Sequence, residues 1–262
     1  MYSVIIPSIG RIKYLNELLK SIFKQTILPK EILIILDDNL LCKKIEAKIY
    51  NREICKVIFC KNLNLSEKRN YGAKKANTNY LIFSDDDDIW ELNKAEFSIE
   101  SLKNFPVVCH EFSKFGHIKK GPKFILGKKK KIITLKNLLF ATNIFGGGSG
   151  ISTRKEIVMA LKFNKNLPYC EDFEWWLRVI LADIKIQYIP ISLVKYRVHK
   201  KNMTSNFLKI YYNNIKIFNY LFWKACIMIT IFFIGYLRVF LGIIIKALKY
   251  FSVKILQIKS KN

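Results

Sequence analysis

Residues 80–90 read Tyr80-Leu81-Ile82-Phe83-Ser84-Asp85-Asp86-Asp87-Asp88-Ile89-Trp90 and join an apolar run to four consecutive carboxylates. The apolar run is rich in aromatic and branched side chains, which is typical of a buried strand. Neighbouring carboxylates repel one another, so such a cluster needs a counter-charge or open water. Mg²⁺ and Mn²⁺ prefer oxygen ligands of this kind and also bind diphosphates. The alternative is a solvated acidic turn in which Asp88 caps a following helix.

The composition indicates which partners the chain favours. Its 262 residues, 51% of them hydrophobic and 14% aromatic, suffice for one large α/β domain with an appendage. The 45 Lys and Arg residues against 20 Asp and Glu residues give a formal net charge of +25. This charge favours nucleic acid, an anionic bilayer or a phosphorylated substrate.

The cysteines and the N-terminus indicate the compartment. The six cysteines form neither a CxxC pair nor a zinc-ligand spacing, as expected of reduced thiols in a cytosolic protein. Residues 3–6 already read as a strand, so we expect no signal peptide before the fold.

The residues before the acidic stretch predict a βαβ unit. Apolar runs at residues 3–6 and 31–36 flank a helical apolar spacing over residues 14–23, which predicts two parallel strands joined by a helix. Pro7-Ser8 and Asp37-Asp38 follow these strands, and ligands of open α/β sheets bind at the carboxyl ends of the strands. Turn and cap chemistry explains Asp37-Asp38 equally well.

Four further segments follow from the same patterns. They are a helix over residues 43–50, a strand over 56–60, a helix capped by Ser66 and a basic loop over 116–131.

Two later segments are candidates for the rest of the site. Glu171-Asp172 precedes an aromatic run, where desolvation would raise the pKa of Asp172. Alternatively, Trp175 and Trp176 form the core of a helix that Glu171-Asp172 caps. The glycine run over residues 146–150 permits close backbone approach to a ligand, but it does not match a phosphate-binding loop.

In order and spacing, these motifs resemble those of a family 2 glycosyltransferase with the GT-A fold. The resemblance covers roughly residues 1–204 and implies a mostly parallel, Rossmann-like sheet flanked by helices. The matching segments are Val4-Ile5-Ile6-Pro7, Leu36-Asp37-Asp38-Asn39, Lys68-Arg69-Asn70-Tyr71-Gly72, the acidic stretch, Glu171 to Arg178 and Tyr196-Arg197-Val198-His199.

The resemblance implies an inverting transfer of a sugar from a nucleotide-diphosphate donor to a hydroxyl of a surface glycan or lipid-linked acceptor. It implies a divalent cofactor, Mn²⁺ or Mg²⁺, with Asp87 and His199 as ligands and Asp172 as the general base. The residues it places at the donor are Pro7, Ser8, Arg11, Asp38, Arg69, Asp85 and Asp86. The residues expected at the acceptor are Glu171, Trp175 and Gly148.

One motif departs from the family pattern. Many members have Thr-Tyr-Asn-Arg after the first strand, whereas this chain has Ser8-Ile9-Gly10-Arg11. Ile9 cannot stack on a base as a tyrosine does. The choice of base therefore stays open, with UDP as the default.

The C-terminal segment, residues 205–262, has a different character. Residues 207–257 contain no acidic residue. At about 100° per residue, six of its basic side chains share a sector of roughly 120°, and they are Lys209, Lys216, Lys224, Arg238, Lys246 and Lys249. This pattern favours helices lying in the plane of an anionic membrane, at its cytoplasmic face. Packing on the catalytic domain is the second interpretation. Spanning is the third, because Arg238 interrupts the apolar run.

Two other functions fit parts of the sequence less well. A nucleic-acid-binding protein would account for the +25 charge, but the basic residues are mostly scattered Lys rather than clustered Arg with stacking aromatics. A metal-dependent nucleotidyltransferase would also use paired Asp residues, but it needs a longer, glycine-rich loop than residues 8–11. We therefore expect no nucleic-acid partner.

Overall fold

A computed structural model describes residues 1–39, 49, 53–117, 129, 131–140, 147–199, 202, 207–224, 235, 237–242 and 244. The chain divides into two compact units, Met1–Ser205 and Asn206–Asn262. The predicted boundary after Thr204 differs from this division by one residue. The predicted helix over residues 43–50 and most of the predicted basic loop lie outside the described residues.

The strands of the first unit form one sheet. They are β1 (Tyr2–Pro7), β2 (Glu31–Asp37), β3 (Cys55–Cys60), β4 (Tyr80–Phe83), β5 (Ile89–Trp90), β6 (Val107–Gly116), β7 (Lys131–Ile132), β8 (Ser152–Arg154) and β9 (Ile186–Val198). Their order is β3-β2-β1-β4-β8-β6-β9-β5, and β7 pairs with β9.

The N-terminal half of this sheet is parallel. β1 lies between β2 and β4, and all three run in the same direction. β8 is antiparallel to both β4 and β6, while β6 and β9 are parallel. The predicted α/β fold with a mostly parallel central sheet is confirmed, and the carboxyl ends of β1, β2 and β4 lie side by side.

The helices of the first unit flank the sheet. They are α1 (Ile12–Ile22), α2 (Leu65–Lys75), α3 (Lys94–Asn104), α4 (Leu135–Phe140), α5 (Lys155–Ala160) and α6 (Glu171–Leu181). The buried face of α1 consists of the apolar residues at helical spacing, namely Leu15, Leu18, Leu19 and Ile22. The four described cysteines, Cys55, Cys60, Cys109 and Cys170, are free thiols.

The start of α2 differs from the prediction. Asn64, not Ser66, is the N-cap, and it forms a capping box with Glu67. The two side chains each bond to the other's backbone N–H, which satisfies two donors at the helix start. Further along α2, a Cβ at Gly72 would lie 2.5 Å from Cγ2 of Ile5. This close approach of α2 to β1 brings Arg69 to the carboxyl end of the sheet.

The segment after the acidic stretch also corrects a prediction. Asp88 does not cap a helix, because Ile89 and Trp90 form β5 and α3 begins only at Lys94. Asp86, Asp87 and Asp88 are buried, at 2%, 6% and 0% exposure. A solvated acidic turn is therefore excluded.

The second unit contains α7 (Phe207–Lys224) and a helical stretch over residues 237–242. One face of α7 is exposed and carries Leu208, Lys209, Tyr212, Lys216 and Asn219. In the described portion of the chain, every helix is too short or too polar to cross a bilayer.

At the opposite end of the sheet from the acidic stretch, Glu31 is buried within a cluster of hydrogen bonds. It accepts bonds from Ser3 Oγ at 2.8 Å, from Lys56 Nζ at 2.8 Å and from the backbone and side chain of Asn77 at 2.6 and 3.1 Å. Burial by itself would raise the pKa of Glu31, but these donors outweigh it and lower the pKa to about 2.

We predict that Glu31 contributes to stability above pH 4.5 and that this contribution is lost as the pH falls through 2. The folded-state pKa lies below the ordinary value of 4.5, so protonation favours unfolding by about 3 kcal/mol. Acid unfolding can be monitored by circular dichroism. Between pH 4.5 and 2, the free energy of unfolding should fall less steeply with decreasing pH in Glu31→Gln than in the wild type. Glu100→Gln, at an exposed carboxylate, should retain the wild-type slope. Equal slopes in all three proteins would contradict the prediction.

Candidate functional site

The acidic stretch lies at the carboxyl end of β4, beside the loop that follows β1. Ser8 Oγ donates to Asp86 Oδ2 at 2.5 Å, and Arg11 Nε donates to Asp86 Oδ1 at 3.0 Å. Arg11 NH2 also bonds to Asp86 Oδ1. Pro7 is buried as the last residue of β1. Ser8, Arg11 and Asp86, which were all predicted to bind the nucleotide-sugar donor, therefore lie together. Ser8 and Arg11 hold the Asp86 carboxylate in place.

Asp87 and His199 meet although they are far apart in the sequence. Asp87 Oδ2 lies 3.0 Å from His199 Nε2 and 2.7 Å from Arg11 NH1. The imidazole ring also stacks on Tyr14, with ring centroids 5.7 Å apart. Burial is the main cause that raises the pKa of Asp87, with Arg11 opposing it and Asp85 and Asp86 adding to it. The two predicted metal ligands thus lie side by side.

Asp88 is fully buried and accepts two hydrogen bonds. Ser149 Oγ donates to Asp88 Oδ2 at 2.6 Å, and the backbone N–H of Arg197 donates to Oδ1 at 3.0 Å. Burial, followed by the charges of Asp87 and Asp85, raises the pKa of Asp88 well above its ordinary value. Asp88 therefore connects the acidic stretch to the end of β9 and to the turn at Gly147–Gly150, which we call the glycine turn.

Ser149 is held in turn by a buried lysine. Lys94 Nζ donates to Ser149 O at 2.5 Å, and it lies 2.8 Å from His110 Nε2 and 4.8 Å from the centre of the Trp90 ring. Desolvation lowers the pKa of Lys94 to about 7, although Asp88 and Asp85 favour its charged form. Because His110 Nδ1 bonds to a carbonyl oxygen at 2.7 Å, Nδ1 donates there and Nε2 accepts from Lys94.

On the other side of the acidic stretch, Arg69 joins Asp85 to Glu171. Its NH2 lies 2.8 Å from Asp85 Oδ1 and its NH1 lies 2.6 Å from Glu171 Oε1. The guanidinium is 1% exposed and stacks over Phe163 at 5.4 Å. Burial raises the pKa of Glu171 to about 7 even though Arg69 opposes the shift. Arg69 is thus a buried cation between two carboxylates.

Asp172 faces the glycine turn from the start of α6. A Cβ added to Gly147 would stand 3.3 Å from Asp85 Oδ2 and 3.8 Å from Asp172 Oδ2, so both carboxylates lie against Gly147. Asp172 is half-buried, and Oδ1 accepts a bond from the backbone N–H of Phe173 at 2.8 Å. Burial is the main cause that raises its pKa, against the effect of Arg69. This leaves Oδ2 directed to the side of the site where Asp85 lies.

The three residues expected at the acceptor are all buried in this structure. Trp175 is fully buried, stacks on Phe163 at 5.2 Å and donates to the carbonyl of Leu161 at 2.5 Å. It therefore packs in the core, which is the second of the two interpretations of Trp175, and its acceptor role stays a prediction. Glu171 is 5% exposed and positions Arg69, and Gly148 is buried beside Arg69 and Asp85. Their acceptor roles stay predictions.

Asp38 stands apart from the acidic stretch. It follows β2, its backbone N–H donates to the carbonyl of Cys60 at 2.7 Å, and its carboxylate lies 4.0 Å from Lys61 Nζ. The neighbouring Asp37 pairs with buried Lys68 at 2.7 Å, and Lys68 also donates to Ser8 O at 2.8 Å. Lys68 therefore links the ends of β1 and β2, with Asp38 at the outer side.

The sequence-based interpretation missed Lys68, Lys94 and Ser149. For Lys94 a signal existed, because Ala95, Ser98, Ile99 and Leu102 mark the buried face of α3, and Lys94 falls on that face at helical spacing. Arg197, in the segment that ends β9, donates to Asp87 O at 2.7 Å and pairs with Glu17. Its guanidinium lies 4.4 Å from the rings of both Tyr14 and Phe115.

Asp87 and His199 suit a divalent ion that takes its further ligands from a substrate. Two octahedral ligands about 2.1 Å from an ion stand about 3.0 Å apart, and Asp87 Oδ2 and His199 Nε2 are 3.0 Å apart. Among the residues that the structure describes, no three His, Cys, Asp or Glu side chains are grouped to hold a metal alone. Mg²⁺ sites are commonly completed by waters and substrate phosphates.

Comparison with known proteins identifies the family. The family model described as Glycosyl transferase family 2 matches residues 3–161. The chain belongs to glycosyl transferase family 2. The predicted transferase activity class is thereby confirmed, and divalent metals are generally used in this family and fold.

Three similar proteins illustrate the relatives of this chain, and two of them are named glycosyltransferases. An uncharacterized glycosyltransferase of Methanocaldococcus jannaschii is 29% identical over 234 residues, covering 81% of this chain and 80% of that protein. One from Haemophilus influenzae is 25% identical over 184 residues, covering 69% and 62%. The minor teichoic acid biosynthesis protein GgaB of Bacillus subtilis is 34% identical over 113 residues, which cover 40% of this chain and 12% of GgaB.

A solved structure supports the fold assignment. Residues 1–349 of S. aureus TarS, in complex with UDP-GlcNAc, superpose with a TM-score of 0.67 at 18% identity. The match covers 84% of this chain and 66% of the TarS chain, so this chain spans slightly less than two thirds of that structure. The likeness confirms the GT-A fold that the sequence predicts.

We predict that Gly148→Ala disrupts the site. A Cβ there would overlap the Arg69 guanidinium and stand 2.7 Å from Asp85 Oδ1. Arg69 cannot retreat without leaving Glu171. The free energy of unfolding should fall by about 1–3 kcal/mol, measured by urea denaturation. Gly242→Ala, where a Cβ meets nothing within 4 Å, is the matched control. A Gly148→Ala protein as stable as this control would show that the packing tolerates the methyl group.

Proposed function

We propose that the chain transfers a sugar from a nucleotide-diphosphate donor, with UDP as its nucleotide, to a hydroxyl of a glycan or lipid-linked acceptor, with inversion at the anomeric carbon. The observation that carries this proposal is the arrangement around Gly147. A Cβ on Gly147 would stand 3.3 Å from Asp85 Oδ2 and 3.8 Å from Asp172 Oδ2, so both carboxylates lie against this glycine. Asp87 and His199, which lie side by side, belong to the same acidic stretch and its contacts.

Asp172 is the residue we assign as the general base. Of the two carboxylates that begin α6, Glu171 is bonded to Arg69, whereas Asp172 is half-buried and keeps Oδ2 directed to the site. Its raised pKa makes it a better proton acceptor than an ordinary aspartate, as base catalysis requires. Asp172 would take the proton of the acceptor hydroxyl as that oxygen attacks the sugar.

Asp87 and His199 are the residues we assign to the divalent ion, Mn²⁺ or Mg²⁺. When bound, such an ion acts as a Lewis acid that stabilises the leaving diphosphate. Asp85 and Asp86 serve the donor side, and Asp86 is fixed for this by Ser8 and Arg11. Arg69, paired with Glu171, holds Asp85. A base and an electrophile on opposite sides of one sugar suit a single displacement.

Two named relatives support the choice of substrate class. TarS has been solved with UDP-GlcNAc, and GgaB is named for minor teichoic acid biosynthesis. A UDP-sugar and an acceptor of the cell-surface glycan type are consistent with both. Burial of Asp86, Asp87 and Asp88, with Arg11 paired to two of them, further supports a site built for an anionic ligand with a counter-ion.

We predict that two substitutions separate the roles of the carboxylates. Asp87→Ala should abolish Mn²⁺-dependent UDP binding, measured by calorimetry. Asp172→Asn should bind UDP as the wild type does but lose about 10²–10⁴-fold in turnover, measured after a screen of UDP-sugars identifies the donor.

Glu91→Gln is the control for both measurements, since Glu91 follows the acidic stretch but is only half-buried and pairs with Lys195. Undiminished turnover in Asp172→Asn would refute the base assignment, and undiminished metal-dependent binding in Asp87→Ala would refute the metal assignment.

We also propose that the second unit attaches the enzyme to the cytoplasmic face of an anionic membrane. Four exposed apolar side chains recur at helical spacing there, namely Leu237, Phe240, Leu241 and Ile244. The exposed face of α7 combines Leu208 and Tyr212 with Lys209 and Lys216. Exposed apolar and basic groups on helices suit the boundary between headgroups and acyl chains.

We predict that Leu237→Ser, Phe240→Ser and Leu241→Ser, combined in the full chain, weaken vesicle binding about a hundredfold, because less apolar surface enters the bilayer. Co-sedimentation with vesicles containing anionic lipid measures this. The control is Leu28→Ser with Leu92→Ser, which removes leucines that are 57% exposed in the first unit. Equal binding by the triple variant and the wild type would exclude this face as the anchor.

A further inference from the structure

Arg11 contacts every group that the proposed metal site requires. Its NH1 lies 2.7 Å from Asp87 Oδ2 and 3.1 Å from His199 Nε2, and its Nε and NH2 bond to Asp86. Asp87 Oδ2 and His199 Nε2 are themselves 3.0 Å apart. Arg11 NH1, Asp87 Oδ2 and His199 Nε2 thus form a nearly equilateral triangle. The last two are the atoms that we assign to the divalent ion.

Two positive charges cannot share these atoms at little cost. An ion held by Asp87 and His199 would lie next to the guanidinium, where like charges repel strongly in a partly buried site. In addition, Asp87 Oδ2 and His199 Nε2 now face Arg11 and each other. To bind the ion, each atom must direct a lone pair at it. Arg11 and the ion therefore compete for one position.

Arg11 is also the cation best able to leave. Arg69 is 1% exposed and Lys94 is fully buried, and both are held by groups on other segments. The side chain of Arg197 is 12% exposed and lies between two aromatic rings. The Arg11 side chain is 28% exposed, and it follows Gly10, whose φ of +87° belongs to the left-handed region. Withdrawal of Arg11 would therefore disturb little of the core.

We propose that Arg11 is an internal counter-ion of the donor-free site. It holds Asp86, Asp87 and His199 in position and is displaced from Asp87 and His199 when a divalent ion binds. Its guanidinium then becomes available to the diphosphate of the donor, for which arginine is well suited. This inference rests on the proposed metal site and adds that the site is already filled by a side chain before the ion arrives.

The test is a Mn²⁺ titration of the full-length, donor-free protein, followed by the electron paramagnetic resonance signal of the unbound ion. If the Arg11-filled arrangement is populated to about 90%, it weakens the apparent affinity for Mn²⁺ about tenfold. Arg11→Gln should therefore bind Mn²⁺ about tenfold more tightly than the wild type. Arg11→Lys should fall between the two, because one ammonium cannot bridge Asp86 and Asp87 as a guanidinium does.

Lys13→Gln is the matched control. It removes the same charge two residues away, from an exposed side chain, and should leave the affinity unchanged. Equal gains in Arg11→Gln and Lys13→Gln would overturn the inference, as would an Arg11→Gln protein that binds Mn²⁺ no more tightly than the wild type. If Arg11→Gln does not fold, the comparison of Arg11→Lys with the wild type decides in the same way.

Failure of the underlying function gives a different result. A wild-type protein that binds no Mn²⁺, with or without UDP, would refute the proposed metal site itself. Mn²⁺ binding that is identical in the wild type and both Arg11 variants would leave that site intact and refute only the exchange with Arg11.

Discussion

The burial of like charges after β4 is the constraint on which the site depends. Three consecutive carboxylates are almost inaccessible to water, and their mutual repulsion would be prohibitive without compensation. Arg11 pairs with Asp86 and Asp87, and the charge of Lys94 interacts with that of Asp88. Arg69 pairs with the preceding Asp85, and Arg197 donates to the backbone carbonyl of Asp87. The loop after β1, the helices α2 and α3 and the end of β9 must therefore all be in place for this loop to exist.

Much of the parallel half of the sheet could be predicted, because its signals are local. A buried strand shows as a short apolar run, and an amphipathic helix shows as apolar residues at a period near 3.6. The prediction for β2 ended one residue early at Leu36, and the helical spacing over residues 14–23 found α1 within two residues. The positions of Asp85 to Asp88 at a strand end followed directly.

The contacts within the site could not be predicted in the same way. Whether Trp175 meets a sugar or the core depends on the neighbouring Phe163, and no pattern along the chain encodes that contact. Whether Asp88 caps a helix depends on Ser149 and Arg197, which lie 61 and 109 residues away. The sequence could predict which residue types belong to the site. Contacts between residues so far apart in the sequence determine which of them are available to bind or react with a substrate.

These long separations also bear on how the first unit reaches its native state. The strands β1, β2 and β4 lie within the first 83 residues, whereas Asp87 finds Arg197 and His199 only 110 and 112 residues later. Contacts so distant in sequence form slowly, and synthesis delivers the N-terminal part first. The strand that carries the acidic loop can therefore pair early, while the loop itself waits for β9. The acidic loop is therefore complete only when β9 is docked, so the same strand that extends the sheet is also required for a competent site.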